Sequence, residues 1–169
     1  VKNVKKRVLA HLAAAAVVAP LAILGTSGSA SATADDGWVT WENQATGRCL
    51  MGDYTDASQN HYMVFTDSNC KSKKARWHEV QQWNGAYQLR WAGDFRGDTG
   101  MCLDSNKAGS VYLLPCEKGN NNQVWAEIKT STGWELANVQ TGRVLDSNRK
   151  GSVYTNWNEG DSNKYQRWG

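Results

Sequence analysis

The chain has 169 residues, with 19 Lys+Arg, 16 Asp+Glu, four cysteines, nine tryptophans and two prolines, enough for one well-cored domain and short for two. This composition excludes collagen-like, disordered and coiled-coil chains. Sixteen glycines and 10% aromatic residues favour short strands and turns over a helical bundle.

Lys2, Lys5, Lys6 and Arg7 precede an apolar run from Val8 to Leu24, which small residues follow; this is the three-part pattern of a secretory signal peptide. His11 and Pro20 interrupt the run and no second hydrophobic span follows, which argues against a membrane anchor. Ala30-Ser31-Ala32 and Ala32-Thr33-Ala34 both suit cleavage, so the leader is expected over 1–34, cut after Ala32 or Ala34, and the domain over 35–169. Cleavage takes four of the 19 basic residues and leaves 15 against 16 acidic ones. A secreted chain so near neutrality has no bulk attraction for nucleic acid or anionic lipid, and the basic clusters Lys71-Ser72-Lys73-Lys74 and Arg149-Lys150 are too short to supply one.

An internal repeat organises the rest. Thr46-Gly47-Arg48-Cys49-Leu50-Met51, Thr99-Gly100-Met101-Cys102-Leu103-Asp104 and Thr141-Gly142-Arg143-Val144-Leu145-Asp146 are 53 and 42 residues apart. The second and third copies continue in register from Leu103 to Tyr112 and from Leu145 to Tyr154, with eight of ten positions identical. Each copy closes on a tryptophan, in Ala75-Arg76-Trp77, Gln123-Val124-Trp125 and Gln166-Arg167-Trp168. In the second copy, alternation and turn residues predict strands over Ala86–Trp91, Met101–Asp104, Val111–Leu114 and Gln123–Ile128. A four-stranded unit of this size cannot bury its apolar face alone. The fold class is therefore all-β, with three such units, twelve short strands in all, packing about a pseudo-threefold axis.

These repeats, each ending in or near Q-x-W and carrying C-L-D in the middle, resemble the ricin B-chain type β-trefoil lectins over about Trp38 to Trp168. The resemblance implies a carbohydrate-binding, non-catalytic domain without cofactor or metal, directed at galactose- or xylose-type sugars. Its partner would be a glycan or polysaccharide, and such modules often accompany a secreted enzyme or toxin. Four cysteines allow three pairings, and the family pattern implies Cys49–Cys70 and Cys102–Cys116, local bridges worth roughly 3 kcal/mol each. The third copy has Val144 and Asn158 in place of a pair.

A sugar pocket needs a carboxylate for adjacent hydroxyls, an aromatic face for the ring and amides for the remaining hydrogen bonds. In the second copy the family pattern points to Asp104, Asn122 and Gln123, with Leu114 in the aromatic position and Tyr112 as the substitute platform. In the third it points to Asp146 and Gln166, with Tyr165 in place of the asparagine, Asn156 in the aromatic position, and Tyr154 and Trp157 as platforms. The second copy is expected to bind more strongly than the third. The first, with Met51, Ser68, Lys74 and Ala75 at these positions, reads as dead, and Asp53 could restore it only through a rearranged turn.

Simpler roles stand beside these. Gln123 and Gln166 could serve only to bond the closing turn, and Asp104 and Asp146 could form Asx turns. Trp77, Trp125 and Trp168 are expected in the core. The chain carries no G-x-S-x-G, P-loop or dinucleotide fingerprint, and His78-Glu79 lacks the second histidine of a zinc protease. A carboxylate pair that used Asp94 or Asp98 stays open, as does an inhibitor acting through the Gly52–Gln59 loop.

Overall fold

A computed structural model describes residues 37–56, 61–83, 85–93 and 99–169. The expected leader, residue 35, Asp94, Asp98 and residues 57–59 of the first-copy loop lie outside the described residues. Eleven strands are present among those described: β1 (Trp38–Val39), β2 (Cys49–Asp56), β3 (His61–Asp67), β4 (Trp77–Trp83), β5 (Ala86–Trp91), β6 (Met101–Ser105), β7 (Val111–Pro115), β8 (Val124–Thr130), β9 (Gly133–Asn138), β10 (Val144–Ser147) and β11 (Val153–Asn156). Three 3-10 turns, Lys73–Ala75, Asn121–Gln123 and Lys164–Gln166, come just before the closing tryptophans. Gln123 thus belongs to a turn, and the strand expected to begin there begins at Val124.

Antiparallel pairing runs β1–β4–β5–β8–β9. The twelfth expected strand is reduced to Trp168, which bridges both Trp134 on β9 and Asn43. Trp168 N–H donates to Trp134 O at 2.8 Å and Trp134 N–H returns the bond at 2.7 Å, while Glu42 and Gly169 exchange bonds of 2.8 and 2.9 Å. These bonds join the last residues to both β9 and the segment after β1, closing the sheet into a barrel without free edges. The hairpins β2–β3, β6–β7 and β10–β11 pair within themselves, one per repeat. The architecture is the all-β trefoil of three repeats that the repeat pattern predicts.

One core serves all three units: Leu50, Leu103 and Leu145 enter it with Trp77, Trp125 and Trp168, all fully buried. Each indole N–H donates to its own repeat's leucine carbonyl, Trp77 to Leu50 at 2.9 Å, Trp125 to Leu103 at 2.9 Å and Trp168 to Leu145 at 3.1 Å. The large apolar rings are therefore buried with no unpaired donor.

The near-identity of the second and third copies over these ten residues has a packing cause. Asn106 Oδ1 accepts from Ala108 N at 3.0 Å and Ser110 N at 3.1 Å, and Asn148 Oδ1 does the same for Lys150 and Ser152 at 2.9 and 3.2 Å. This Asx turn drives Gly109 and Gly151 to φ +91° and lodges each against the next repeat, Gly109 O accepting from Thr155 N and Gly151 O from Thr66 N, both at 2.8 Å. A Cβ at either glycine would stand 2.7 or 2.8 Å from the facing carbonyl oxygen. The asparagines carry the bonds of this turn, while Asp104 and Asp146 each accept a backbone bond from the serine that follows.

The disulfides are Cys49–Cys70 and Cys102–Cys116. In the third repeat Val144 is buried and Asn158 Nδ2 donates to Glu135 Oε2 at 2.7 Å. Glu135 also lies 3.4 Å from Arg167 Nη1, and Arg167 Nη2 reaches Asp161 Oδ1 at 3.1 Å. Ser131 Oγ donates to Asp161 Oδ2 at 2.6 Å. Polar links thus tie the loop after β11 to the barrel where the second repeat uses a covalent one. The Arg167 side chain is only 1% exposed, so Glu135→Leu, which leaves its charge only the exposed Asp161 as partner and takes the acceptor from Asn158, should cost about 3 kcal/mol in urea unfolding, and Arg167→Met added to it should recover much of the loss.

Glu79 on β4 and Glu127 on β8 face each other and share a hydrogen bond, and burial pushes their carboxyls up to about 7 and about 8. Both acids exceed the value of 4.5 for a free glutamate, so the native state binds more protons than the unfolded chain between these limits. Stability is then greatest at the acidic end of that window and falls as pH rises through 7 and 8. A melting temperature higher at pH 6 than at pH 9, with the difference largely removed by Glu127→Gln, is the expected result.

Candidate functional site

In each repeat the residue after the core leucine faces its cross-strand neighbour on the hairpin: Asp104 pairs with Tyr112, Asp146 with Tyr154 and Met51 with Phe65. The residue two before the closing tryptophan completes the group, as Gln123, Gln166 or Ala75. A shared framework thus brings Asp104, Tyr112 and Gln123 together, and likewise Asp146, Tyr154 and Gln166.

Both glutamines are fully buried. Gln123 Nε2 donates to Pro115 O at 3.0 Å and its Oε1 accepts from Glu117 N at 2.8 Å. Gln166 makes the same bonds with Trp157 O and Glu159 N, both at 2.9 Å, and its Nε2 also donates to Asp146 Oδ2 at 3.0 Å. The turn-bonding role is therefore present, and in the third repeat the same amide orients the aspartate. Asn122 contributes its main chain, with its carbonyl accepting from Asn138 Nδ2 at 2.7 Å; Tyr165 O accepts likewise from Asn43 Nδ2 at 2.7 Å.

The two aspartates have matching partners: the closing glutamine, the strand tyrosine and the backbone N–H of the following serine. Burial raises the Asp104 carboxyl above the ordinary range, against the opposing hydrogen bonds of Gln123 and the Tyr112 hydroxyl. Asp146 is also raised by burial, with the Gln166 bond opposing. Tyr154 also places its hydroxyl 3.4 Å from Ser147 O, and the Oδ1 atom of Asp146 is buried with no partner within hydrogen-bond distance among the described residues. Each tyrosine thus stands over its carboxylate, half-buried, with its phenol raised first by burial and then by the aspartate's charge.

A cleft of about 480 Å³ opens over Asp146, lined by Tyr154, Asn156, Glu159, Asn163 and Tyr165, with Arg149 and Lys150 on its exposed side. Arg149 Nε donates to the Tyr165 hydroxyl at 3.0 Å. From the strand tyrosine to the asparagine that caps the 3-10 turn is nine residues here, Tyr154 to Asn163, against eight in the second repeat, Tyr112 to Asn120. The longer segment has no disulfide to draw it in. Sequence matching, which ranks the second repeat first, registers neither this extra residue nor the lining by Asn163, Glu159 and Arg149. Trp157 does not join the cleft; its ring lies against Arg143 instead.

In the first repeat Met51, Ala75 and Cys49 are buried together, with Cys70 and Phe65 partly buried against them. All three positions, polar in the other repeats, are apolar here, and Phe65, aligned with Tyr112 and Tyr154, is the member that motif matching missed. Asp53 is held by Lys74, Nζ to Oδ2 at 2.7 Å, so it does not replace the lost carboxylate. Glu42 lies near both sulfurs of this disulfide, but oxidised cysteines offer no thiolate to a metal. Met51→Asp should destabilise the fold by about 3 kcal/mol or more, because it buries a carboxylate beside Ala75 and Phe65; chemical denaturation of Met51→Asp and of Met51→Asp/Ala75→Gln should show the second substitution restoring part of the loss.

Residues 37–168 match the family model of the ricin-type β-trefoil lectin domain. Among solved structures, the designed threefold-symmetric protein ThreeFoil is 20% identical with a TM-score of 0.63, over 79% of this chain and 96% of that one. A Polyporus squamosus lectin, solved with the human-type influenza-binding epitope Neu5Aca2-6Galb1-4GlcNAc, is 17% identical with a TM-score of 0.64, over 79% of this chain and 48% of that one. An endo-β-galactosidase from Clostridium perfringens that releases GlcNAcα1-4Gal is 16% identical with a TM-score of 0.61, over 78% of this chain and 32% of that one. At such identities the likeness is one of fold. No curated protein matches the chain in sequence. The family match spans nearly all the described residues and all three repeats, and the chain belongs to the ricin-type β-trefoil lectin domain family, whose ligands are carbohydrates.

Proposed function

We propose that this is a secreted, non-catalytic glycan-binding protein whose principal site is the third-repeat cleft, with the second repeat as a subsidiary site, and whose sugars are of the galactose or xylose type. The observation that carries this reading is Asp146. Its Oδ2 is fixed by Gln166 while Oδ1 has no partner, and an unpaired buried carboxylate oxygen is costly until a donor reaches it. A small rotation of Tyr154 would let a pyranose hydroxyl do so from the cleft. Asn156 and Asn163 each offer an amide with both donors and an acceptor, and the tyrosines offer aromatic surface.

The strand tyrosine hydroxyl bonds the carboxylate in both pockets, Tyr112 at Asp104 and Tyr154 at Asp146, so a sugar must displace it in either. The partnerless oxygen of Asp146 is what supports ranking the third repeat first. Both pockets are shallow, with affinities of about millimolar to high micromolar each, and useful strength on a polysaccharide comes from engaging both. The leader pattern and two disulfides support secretion. A secreted enzyme or toxin is the natural partner for a module of this kind. This reading is tested by a glycan array followed by calorimetry on the galactose- or xylose-bearing ligand it retains. Asp146→Asn should weaken binding about tenfold, Asp104→Asn less. Parent-like binding by the folded double variant would remove both pockets from the account.

A further inference from the structure

Trp157 is 61% exposed, the highest value among the large apolar side chains of the described residues. Its main chain is fixed, N–H donating to Asn156 Oδ1 and carbonyl accepting from Gln166 Nε2, both at 2.9 Å. The Arg143 guanidinium lies over the indole, 4.8 Å from its centre. That guanidinium also abuts Gly109 of the second-repeat turn, so arginine and indole are packed against a docked turn of the neighbouring repeat. A groove of about 230 Å³ opens here, lined by Lys107, Gln140, Thr141, Arg143 and Trp157. It shares no lining residue with the third-repeat cleft.

The chemistry of this groove differs from that of the cleft. The cleft has Asp146 and Glu159 in its wall, whereas two of the five residues lining the groove are cations and none is acidic. The exposed part of the indole away from Arg143 suits the C–H face of a sugar ring, the two cations suit an anion, and the Gln140 amide and Thr141 hydroxyl suit ring hydroxyls. The volume lies below that of drug-sized pockets and suits one monosaccharide. We propose that this groove between the second and third repeats is a separate subsite for one anionic sugar residue, its ring on Trp157 and its carboxylate or sulfate between Lys107 and Arg143. The subsite does not depend on Asp146. Lys107 follows Asp104 by three residues on the same turn, so a glycan held in the second-repeat pocket could extend towards it.

Affinity electrophoresis of the folded protein through gels containing polygalacturonate, dextran sulfate or neutral galactan tests the proposal. The parent should be retarded by at least one anionic polymer, and less so as salt is raised. Retention by polygalacturonate alone identifies the carboxylate as the recognised group, and retention by dextran sulfate alone identifies the sulfate. Trp157→Ala, an exposed position whose circular dichroism should match the parent, should weaken that retention about tenfold, and Lys107→Gln about threefold. Asp146→Asn should leave retention by the anionic polymer intact while it weakens binding to the neutral ligand, which separates failure of this subsite from failure of the cleft. Free migration of the parent in both anionic gels would overturn the proposal. So would retardation that survives Trp157→Ala, since that would mark mere charge attraction.

Discussion

The bond from a closing tryptophan's indole N–H to the core leucine carbonyl of its own repeat fixes everything above it. It occurs three times at 2.9 to 3.1 Å, always in full burial. Satisfying that donor lowers the cost of bringing each closing indole's large apolar surface into the core, and the bond sets the height of the hairpin relative to the last strand. With tryptophan and leucine so locked, the residue two before the tryptophan must meet the residue one after the leucine. In the third repeat that meeting is Gln166 on Asp146 at 3.0 Å. The core and the sugar pocket are thus adjacent layers of one arrangement.

Outside that constraint each repeat solves the same problem with different chemistry. Asn43 and Asn138 hold the residue before the closing glutamine of a neighbouring repeat, donating at 2.7 Å to Tyr165 O and Asn122 O. In the second repeat Trp91 does this instead, its indole N–H reaching Lys74 O at 3.0 Å. The disulfide of the second repeat gives way in the third to the Asn158–Glu135–Arg167–Asp161 chain of contacts. A covalent staple acts largely on the unfolded chain, whereas buried ions stabilise only as a complete set; the third repeat should therefore respond more strongly to substitution and be insensitive to thiols.

Periodicity and repetition made the architecture readable, since alternating residues and the recurrent Thr-Gly, Leu-Asp and tryptophan positions report local structure directly. The span of β5 follows from the sequence pattern to the residue, and the other three strands of that repeat to within a few. The site was readable only as a set of residue identities. Asp146, Tyr154 and Gln166 could be aligned, but a cavity depends on what lies between aligned positions, here one extra residue and a missing disulfide. Phe65 went unnoticed because motif matching counts back from the second cysteine, whereas the structure counts across the strand pair from Met51. Trp157 could be named as an aromatic but not aimed, because its direction is set by Arg143, distant in sequence and close in space.

The apolar group Met51, Phe65 and Ala75 bears on how such a protein changes over generations. Each pocket floor is also a small buried layer, so its three members are energetically tied to one another. An aspartate without its glutamine, or a glutamine without its aspartate, leaves polar atoms buried and unpaired, and selection for folding removes such a chain before selection for binding acts on it. A repeat can therefore pass between a polar and an apolar floor only through costly intermediates, or by near-simultaneous exchange. Gain and loss of binding then proceed by whole pockets. Valency becomes a heritable integer, and the apolar floor of the first repeat leaves that repeat out of the count.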